Sequence, residues 1–204
     1  MKIICIGSNY GNHVKDTNKV VSPGLVFFMK PDTALLRNND PFYYPDFTKD
    51  LRYELGLVLR IDKAGRSISE KAAGRYYSEI GLGIDFTAHD ILCENSALGL
   101  PWESAKAFDY SAPVGPEFIP TSEIDDLRNI RFRLDINDIT VRQGTSADTI
   151  FRFEAVVSHV SRFVTLKIGD LIFVGTSAVA DKAKIGDRLQ ARLNDRLLMD
   201  FEIK

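Results

Sequence analysis

Cysteine is scarce in this chain. Two among 204 residues, Cys5 in an apolar stretch and Cys93 in a helical one, make no disulfide framework and have no metal-ligand spacing. Reduced thiols in a cytosolic protein are the simplest reading. Long apolar runs are lacking as well. After Met1 and Lys2 only IICI precedes Gly7, too short for the apolar region of a signal peptide. No run approaches the roughly 18 apolar residues of a membrane span. A cytoplasmic chain with no membrane partner is expected. A strong charge of either sign is absent too: the net charge of -2 gives no reason for a polyanionic partner, so no nucleic acid is expected. No G-x-G-x-x-G follows a strand and there is no P-loop, which argues against dinucleotide and nucleotide sites. The lack of G-x-S-x-G leaves serine-hydrolase chemistry without a nucleophile. Neither low-complexity segments nor repeats of roughly 20 to 50 residues are found.

What is present fits a single domain over 1–204, whose first 45 residues include a possible lid segment. KIICI, GLVFFM (ended by Lys30 and Pro31), LRYELGLVLRID and EIGLGIDF read as strands. IRFRLDI and ITVRQG form a hairpin turning at Asn137 and Asp138. DLIFVGT, DRLQARLN and RLLMDFEI close the chain as strands. Helical patterns cover SEKAAGRYY, residues 87–99 with Thr87 as a candidate cap and Gly99 at the far end, and FRFEAVVSHVSRFVTL, where His159 reads as a packed or capping residue. Residues 101–116 read as a long irregular segment. About nine strands against three or four short helices predict an α+β, mainly β architecture.

The stretch Leu51–Asp62 organises the rest. Strand alternation puts Arg52, Glu54, Gly56 and Val58 on one face and Tyr53, Leu55, Leu57 and Leu59 on the other, which is core. On the first face a carboxylate is followed two residues on by a glycine, a sign of a bulge or a close approach. Asp85 ends a later buried strand, a place where sites are built. His13 and Asp16 lie three apart in a polar loop; they are either solvated or, on a helical turn, an imidazole oriented by a carboxylate. Lys106 is by default a surface charge. Glu54 itself is either a site residue or an acid paired with Arg52 or Arg60.

Several stretches in order, GSNYGNHVKD, VFFMKPDTALL, LRYELGLVLRI, GLGIDFTAHD, GLPWESAKAFDYSAPVG, RQGTSADTIF and TLKIGDLIFVGT, together resemble the fumarylacetoacetate hydrolase family. The smaller acylpyruvate hydrolase, oxaloacetate decarboxylase and 2-hydroxyhepta-2,4-diene-1,7-dioate isomerase-like members are the most similar. The resemblance implies a mixed β-roll, a homodimer, and Mg2+ or Mn2+ held by a Glu-x-Glu pair and a strand-end Asp. It implies metal-assisted hydrolysis, decarboxylation or isomerisation of a small 2-oxo or 1,3-dicarbonyl acid. Carried over by residue, Glu54 and Asp85 are metal ligands, Lys106 binds and polarises the substrate, His13 and Asp16 match a His-x-x-Glu lid pair, and Thr176 contacts the substrate carboxylate. Three departures stand at the site: Gly56 in place of the second acid, His89 in place of an arginine, and VGTSAVADKA in place of a glycine-rich segment. They imply a weakened metal site, and as an alternative a degenerate member acting as a non-catalytic binding or scaffold protein.

Overall fold

The computed structural model describes residues 1–7, 9, 10, 24–176 and 181–204, with position 176 described by its backbone alone. Its strands are β1 (Ile3–Gly7), β2 (Val26–Lys30), β3 (Leu35–Leu36), β4 (Leu51–Ile61), β5 (Tyr77–Ala88), β6 (Ala112–Pro113), β7 (Ile119–Pro120), β8 (Arg131–Ile136), β9 (Ile139–Thr145), β10 (Leu171–Thr176), β11 (Asp181–Lys182), β12 (Arg188–Leu193) and β13 (Arg196–Glu202). Its helices are α1 (Glu70–Ala73), α2 (His89–Leu98), α3 (Glu103–Lys106) and α4 (Phe153–Phe163). The α+β, mainly β expectation is met. One sheet runs β2-β1-β10-β4-β5-β7 with β11 also on β4; a second runs β13-β12-β8-β9; β3 and β6 form a parallel pair. The large sheet is mixed, parallel between β1 and β10 and antiparallel elsewhere.

Local pattern explains most elements. Leu55, Leu57 and Leu59 of β4 are buried in the main core with Val156, Val157 and Val160 of α4 and Leu134, Leu189 and Leu193 of the smaller sheet. The β8–β9 hairpin turns at Asn137 and Asp138, both at positive φ, which suits the right-handed twist of the flanking strands. His159 packs between the rings of Phe27 and Phe163, as expected of a packed histidine. Gly99 closes α2 at φ +69.

Three expectations are corrected. Lys30 does not end its strand outside the core; it is the last residue of β2 and only 2% exposed. Thr87 is no cap, for β5 runs through it to Ala88, which precedes α2. The segment 101–116 is not wholly irregular, since α3 turns once and buries Lys106, which is 7% exposed rather than a surface charge.

The other face of β4 and β5 is lined pair by pair: Arg60 with Glu79, Val58 with Gly81, Gly56 with Gly83, Glu54 with Asp85, and Arg52 with Thr87. Towards the Arg60 end it is filled by a second apolar cluster that includes Cys5, Val58 and Phe173. Gly83 is small because the Phe173 ring lies where its side chain would project. Cys5 is buried and inert in that layer: burial pushes its thiol well above the ordinary range, and the nearby Asp85 adds to this.

The curl of the large sheet brings the site together. β2 and β5 are four strands apart in sheet order, about 19 Å in a flat sheet, out of reach of a lysine and an aspartate. Yet Lys30 on β2 touches Asp85 on β5. The sheet is therefore rolled, and its concave side holds these charges.

Candidate active site

Glu54 and Asp85 face each other across the β4–β5 pair, so their side chains leave the same face at one level. Between them stands Lys106. Its ammonium donates to Asp85 Oδ2 at 2.7 Å and to Glu54 Oε2 at 3.3 Å. The single turn of α3 delivers it, and its charge also lies 5.1 Å from the centre of the Phe28 ring. Lys30 Nζ lies 2.7 Å from Asp85 Oδ1. It also donates to Phe86 O at 3.1 Å, Ser111 O at 2.9 Å and Ser111 Oγ at 3.0 Å. Ser111 Oγ in turn donates to the Lys106 carbonyl at 3.1 Å. Lys30 is thus a buried counter-ion held from four sides, with Asp85 Oδ1 its nearest acceptor.

Electrostatics follow from burial and pairing. Burial alone drives Asp85 upward, but Lys106 and Lys30 together hold its carboxyl below the usual carboxylate range. Burial opposes the charge on Lys106, and the carboxylates of Asp85 and Glu54 more than offset it, so the ammonium is held charged above the lysine norm. For Lys30 burial wins, and its pKa falls despite Asp85. The two acids and two lysines form a compact, balanced quartet.

The reading of Glu54 as an acid paired with Arg52 or Arg60 is not what the structure shows. Arg60 pairs with Glu79, Arg52 with Asp50, and Glu54 with Lys106. His13, Asp16 and the lid segment containing them lie outside the described residues, as does the Thr176 side chain.

Gly56 requires a correction. Three residues of β10, Val174 to Thr176, oppose two of β4, Leu57 and Gly56, so β10 bulges there, with Gly175 at φ +108. The bulge presses the Gly175 carbonyl against Gly56, where any Cβ would collide with it. Asn9, 1% exposed, fixes the bulge: its Nδ2 donates to Val174 O at 2.8 Å and Phe151 O at 3.1 Å, and its Oδ1 accepts from Phe151 N at 2.8 Å. Gly56 is therefore a backbone-packing requirement and not the trace of a lost ligand. The only other neighbour two residues from Glu54 on that face is Arg52. A Glu-x-Glu pair in this strand occupies 52 and 54, and a cation stands at its first position.

The donor set suits a hard divalent cation. Two carboxylates face each other, and an ammonium already bridges them as a cation would. Among the described residues no third His, Cys, Asp or Glu joins them. Ligation through Glu54 and Asp85 would leave the remaining positions of such a cation to water and substrate oxygens.

Sequence reasoning missed Lys30, Ser111 and Asn9. A signal existed for Lys30: alternation puts it on the face of Phe28, which points inward, so its charge needed a buried partner.

Comparison with known proteins agrees with this geometry. The fumarylacetoacetate (FAA) hydrolase C-terminal model matches residues 2–203. The bovine (Bos taurus) oxaloacetate tautomerase FAHD1, mitochondrial, is 35% identical over 202 residues, covering 99% of this chain and 91% of that protein. The oxaloacetate tautomerase YcgM of Escherichia coli K12 is 34% identical over 189 residues, 92% of this chain and 86% of its own. The fumarylpyruvate hydrolase of Pseudomonas aeruginosa, solved in complex with Mn2+ and pyruvate, superposes with a TM-score of 0.92 at 28% identity over 100% of this chain and 89% of its own. A rolled sheet that sets two facing acids around a buried lysine, matched over nearly its whole length by these enzymes, makes this chain an enzyme that belongs to the fumarylacetoacetate hydrolase family.

Proposed function

We propose that this enzyme isomerises a small 2-oxo acid of the oxaloacetate type, interconverting its keto and enol forms, with Mg2+ or Mn2+ held by Glu54 and Asp85. The observation that carries the reading is the Lys106 ammonium in contact with both carboxylates. Support for the reaction comes from the bovine and Escherichia coli relatives, both named oxaloacetate tautomerases, and for the metal from the Mn2+ complex of the Pseudomonas protein.

A cation bound there supplies Lewis acidity to the substrate's carbonyl. Lys106, held charged by Asp85 and Glu54, stabilises the negative charge that grows on the substrate oxygen as carbon loses its proton. Lys30, fully buried and held by Asp85, Phe86 O and Ser111, keeps Asp85 ionised and in place and is a positioning residue. His13 and Asp16 are proposed for the proton transfer and Thr176 for the substrate carboxylate, on the family's pattern. A homodimer in the cytoplasm belongs to the proposal, to be checked by light scattering and cell fractionation. The scaffold alternative has no support from the relatives, which are named enzymes.

The test follows the ultraviolet absorbance of the oxaloacetate enol with added Mg2+ or Mn2+. Ketonisation is expected well above the buffer rate, and a Lys106→Met variant should lose most of it. No acceleration over buffer with either metal, across oxaloacetate and a set of acylpyruvates, overturns the reading. Faster release of carbon dioxide or of pyruvate than of keto acid selects decarboxylation or hydrolysis instead.

A further inference from the structure

Two residues beyond Glu54 and Asp85, the same strand face carries Arg52 opposite Thr87. Asp50 grips the Arg52 guanidinium through Nε at 3.1 Å and Nη2 at 3.0 Å. The same carboxylate also meets Lys182 Nζ at 3.4 Å and His89 Nδ1 at 3.3 Å. One acid thus serves two permanently charged side chains, Arg52 and Lys182. Of the other acids nearby, Asp181 pairs with Arg142, and Asp90 is turned to Thr48 Oγ1 and the amides of Lys49 and Ile91. Thr87, only 3% exposed, has a buried hydroxyl with no hydrogen-bond partner among the described residues. A buried hydroxyl without a partner is unfavourable unless a ligand or water completes it. Arg52 and Glu54 are two residues apart on a strand, roughly 7 Å, a distance a short dicarboxylic acid spans.

We infer that Arg52, Lys182 and Thr87 form a subsite for the second carboxylate of the substrate, which makes the enzyme selective for 2-oxo dicarboxylic over 2-oxo monocarboxylic acids. Arg52 offers the guanidinium edge that Asp50 does not grip, Lys182 an exposed charge, and Thr87 a hydroxyl proton. Asp50 positions the arginine and does not touch the ligand. The inference rests on the proposed oxo-acid chemistry but reads a separate part of the face.

Two measurements test it. The first is the ratio of kcat/KM for oxaloacetate to that for acetylpyruvate, in the parent and in Arg52→Gln. A charged hydrogen-bonded contact is worth about 10- to 100-fold, and the ratio should fall by that factor through KM for the diacid. The second needs no turnover. Cys93 Sγ lies 3.6 Å from His89 Nδ1, and Cys5 is buried, so alkylation of the native protein reads Cys93 alone. With Mg2+ present, succinate should slow that alkylation several-fold and acetate at equal ionic strength should not; Arg52→Gln should lose the protection. An unchanged selectivity ratio, or succinate protection that survives Arg52→Gln, overturns the subsite. If the parent turns over neither acid, the proposed function falls, and the labelling result still decides the subsite.

Discussion

Two clusters of the same chemistry sit side by side on one strand face, and water separates their behaviour. In the inner one, Glu54, Asp85, Lys30 and Lys106 meet with side chains between 0% and 18% exposed. In the outer one, Asp50 gathers Arg52, His89 and Lys182, whose side chains are 24%, 32% and 60% exposed. Both are acids flanked by cations. In the inner cluster no member can be removed without leaving a charge unpaired in a poor solvent, whereas water can replace any member of the outer one. The inner cluster is therefore fixed by its burial, and the outer one is not.

The largest break in that contrast is Lys30→Met. It strips three acceptors of their donor and Asp85 of a counter-ion, and should cost about 3–5 kcal/mol, read as a lower urea midpoint at an unchanged slope. Lys106→Met comes next and acts on function. Turnover of the oxo acid should fall about 100- to 1,000-fold, since a preorganised donor to the developing charge is gone. Mn2+ should bind the variant more tightly by calorimetry, because no ammonium competes for Glu54 and Asp85. Weaker Mn2+ binding would mean that Lys106 assists the cation and does not oppose it.

Position on the face decides the third prediction. Gly56→Glu should gain no Mn2+ affinity and should destabilise the protein, since even Gly56→Ala drives a Cβ into the Gly175 carbonyl, an overpacking worth about 1–3 kcal/mol. Arg52→Glu restores an acid beside Glu54 on an open part of the same strand, and its Mn2+ affinity should rise. Tight metal binding by Gly56→Glu and none by Arg52→Glu would reverse the assignment of the strand.

These variants also mark what the sequence could and could not disclose. Alternation is local, so β4, β5 and the β8–β9 hairpin were legible, and with them the shared face of Glu54 and Gly56, whereas Asp85, read as ending its strand, lies three residues inside β5. The burial of Lys30 was not, because its counter-charge lies across a roll, four strands away in sheet order. The meaning of Gly56 was hidden for a related reason. Its spacing from Glu54 suggested a missing acid, but the cause is a bulge in β10, more than a hundred residues later and itself pinned by Asn9. Thr87 read as a helix cap because a threonine before a helical pattern usually is one; the strand simply runs further than its apolar pattern.

The smallest effect expected is at the hub of the outer cluster. Arg52, through its hydrogen bonds, holds the Asp50 carboxyl below the usual carboxylate range, with Lys182 adding to the pull. A depressed folded-state pKa means that the stabilisation is present above the pKa of the unfolded chain and is lost as pH falls through the folded value. Asp50→Asn should therefore cost no more than about 1 kcal/mol at neutral pH, as for other exposed ion pairs, and less in high salt. The difference from the parent should shrink as acid protonates Asp50, and the two urea midpoints should converge at low pH. A gap as wide as that of Lys30→Met, or one indifferent to salt and acid, would show the outer cluster to be as dry as the inner one and would erase the distinction between them.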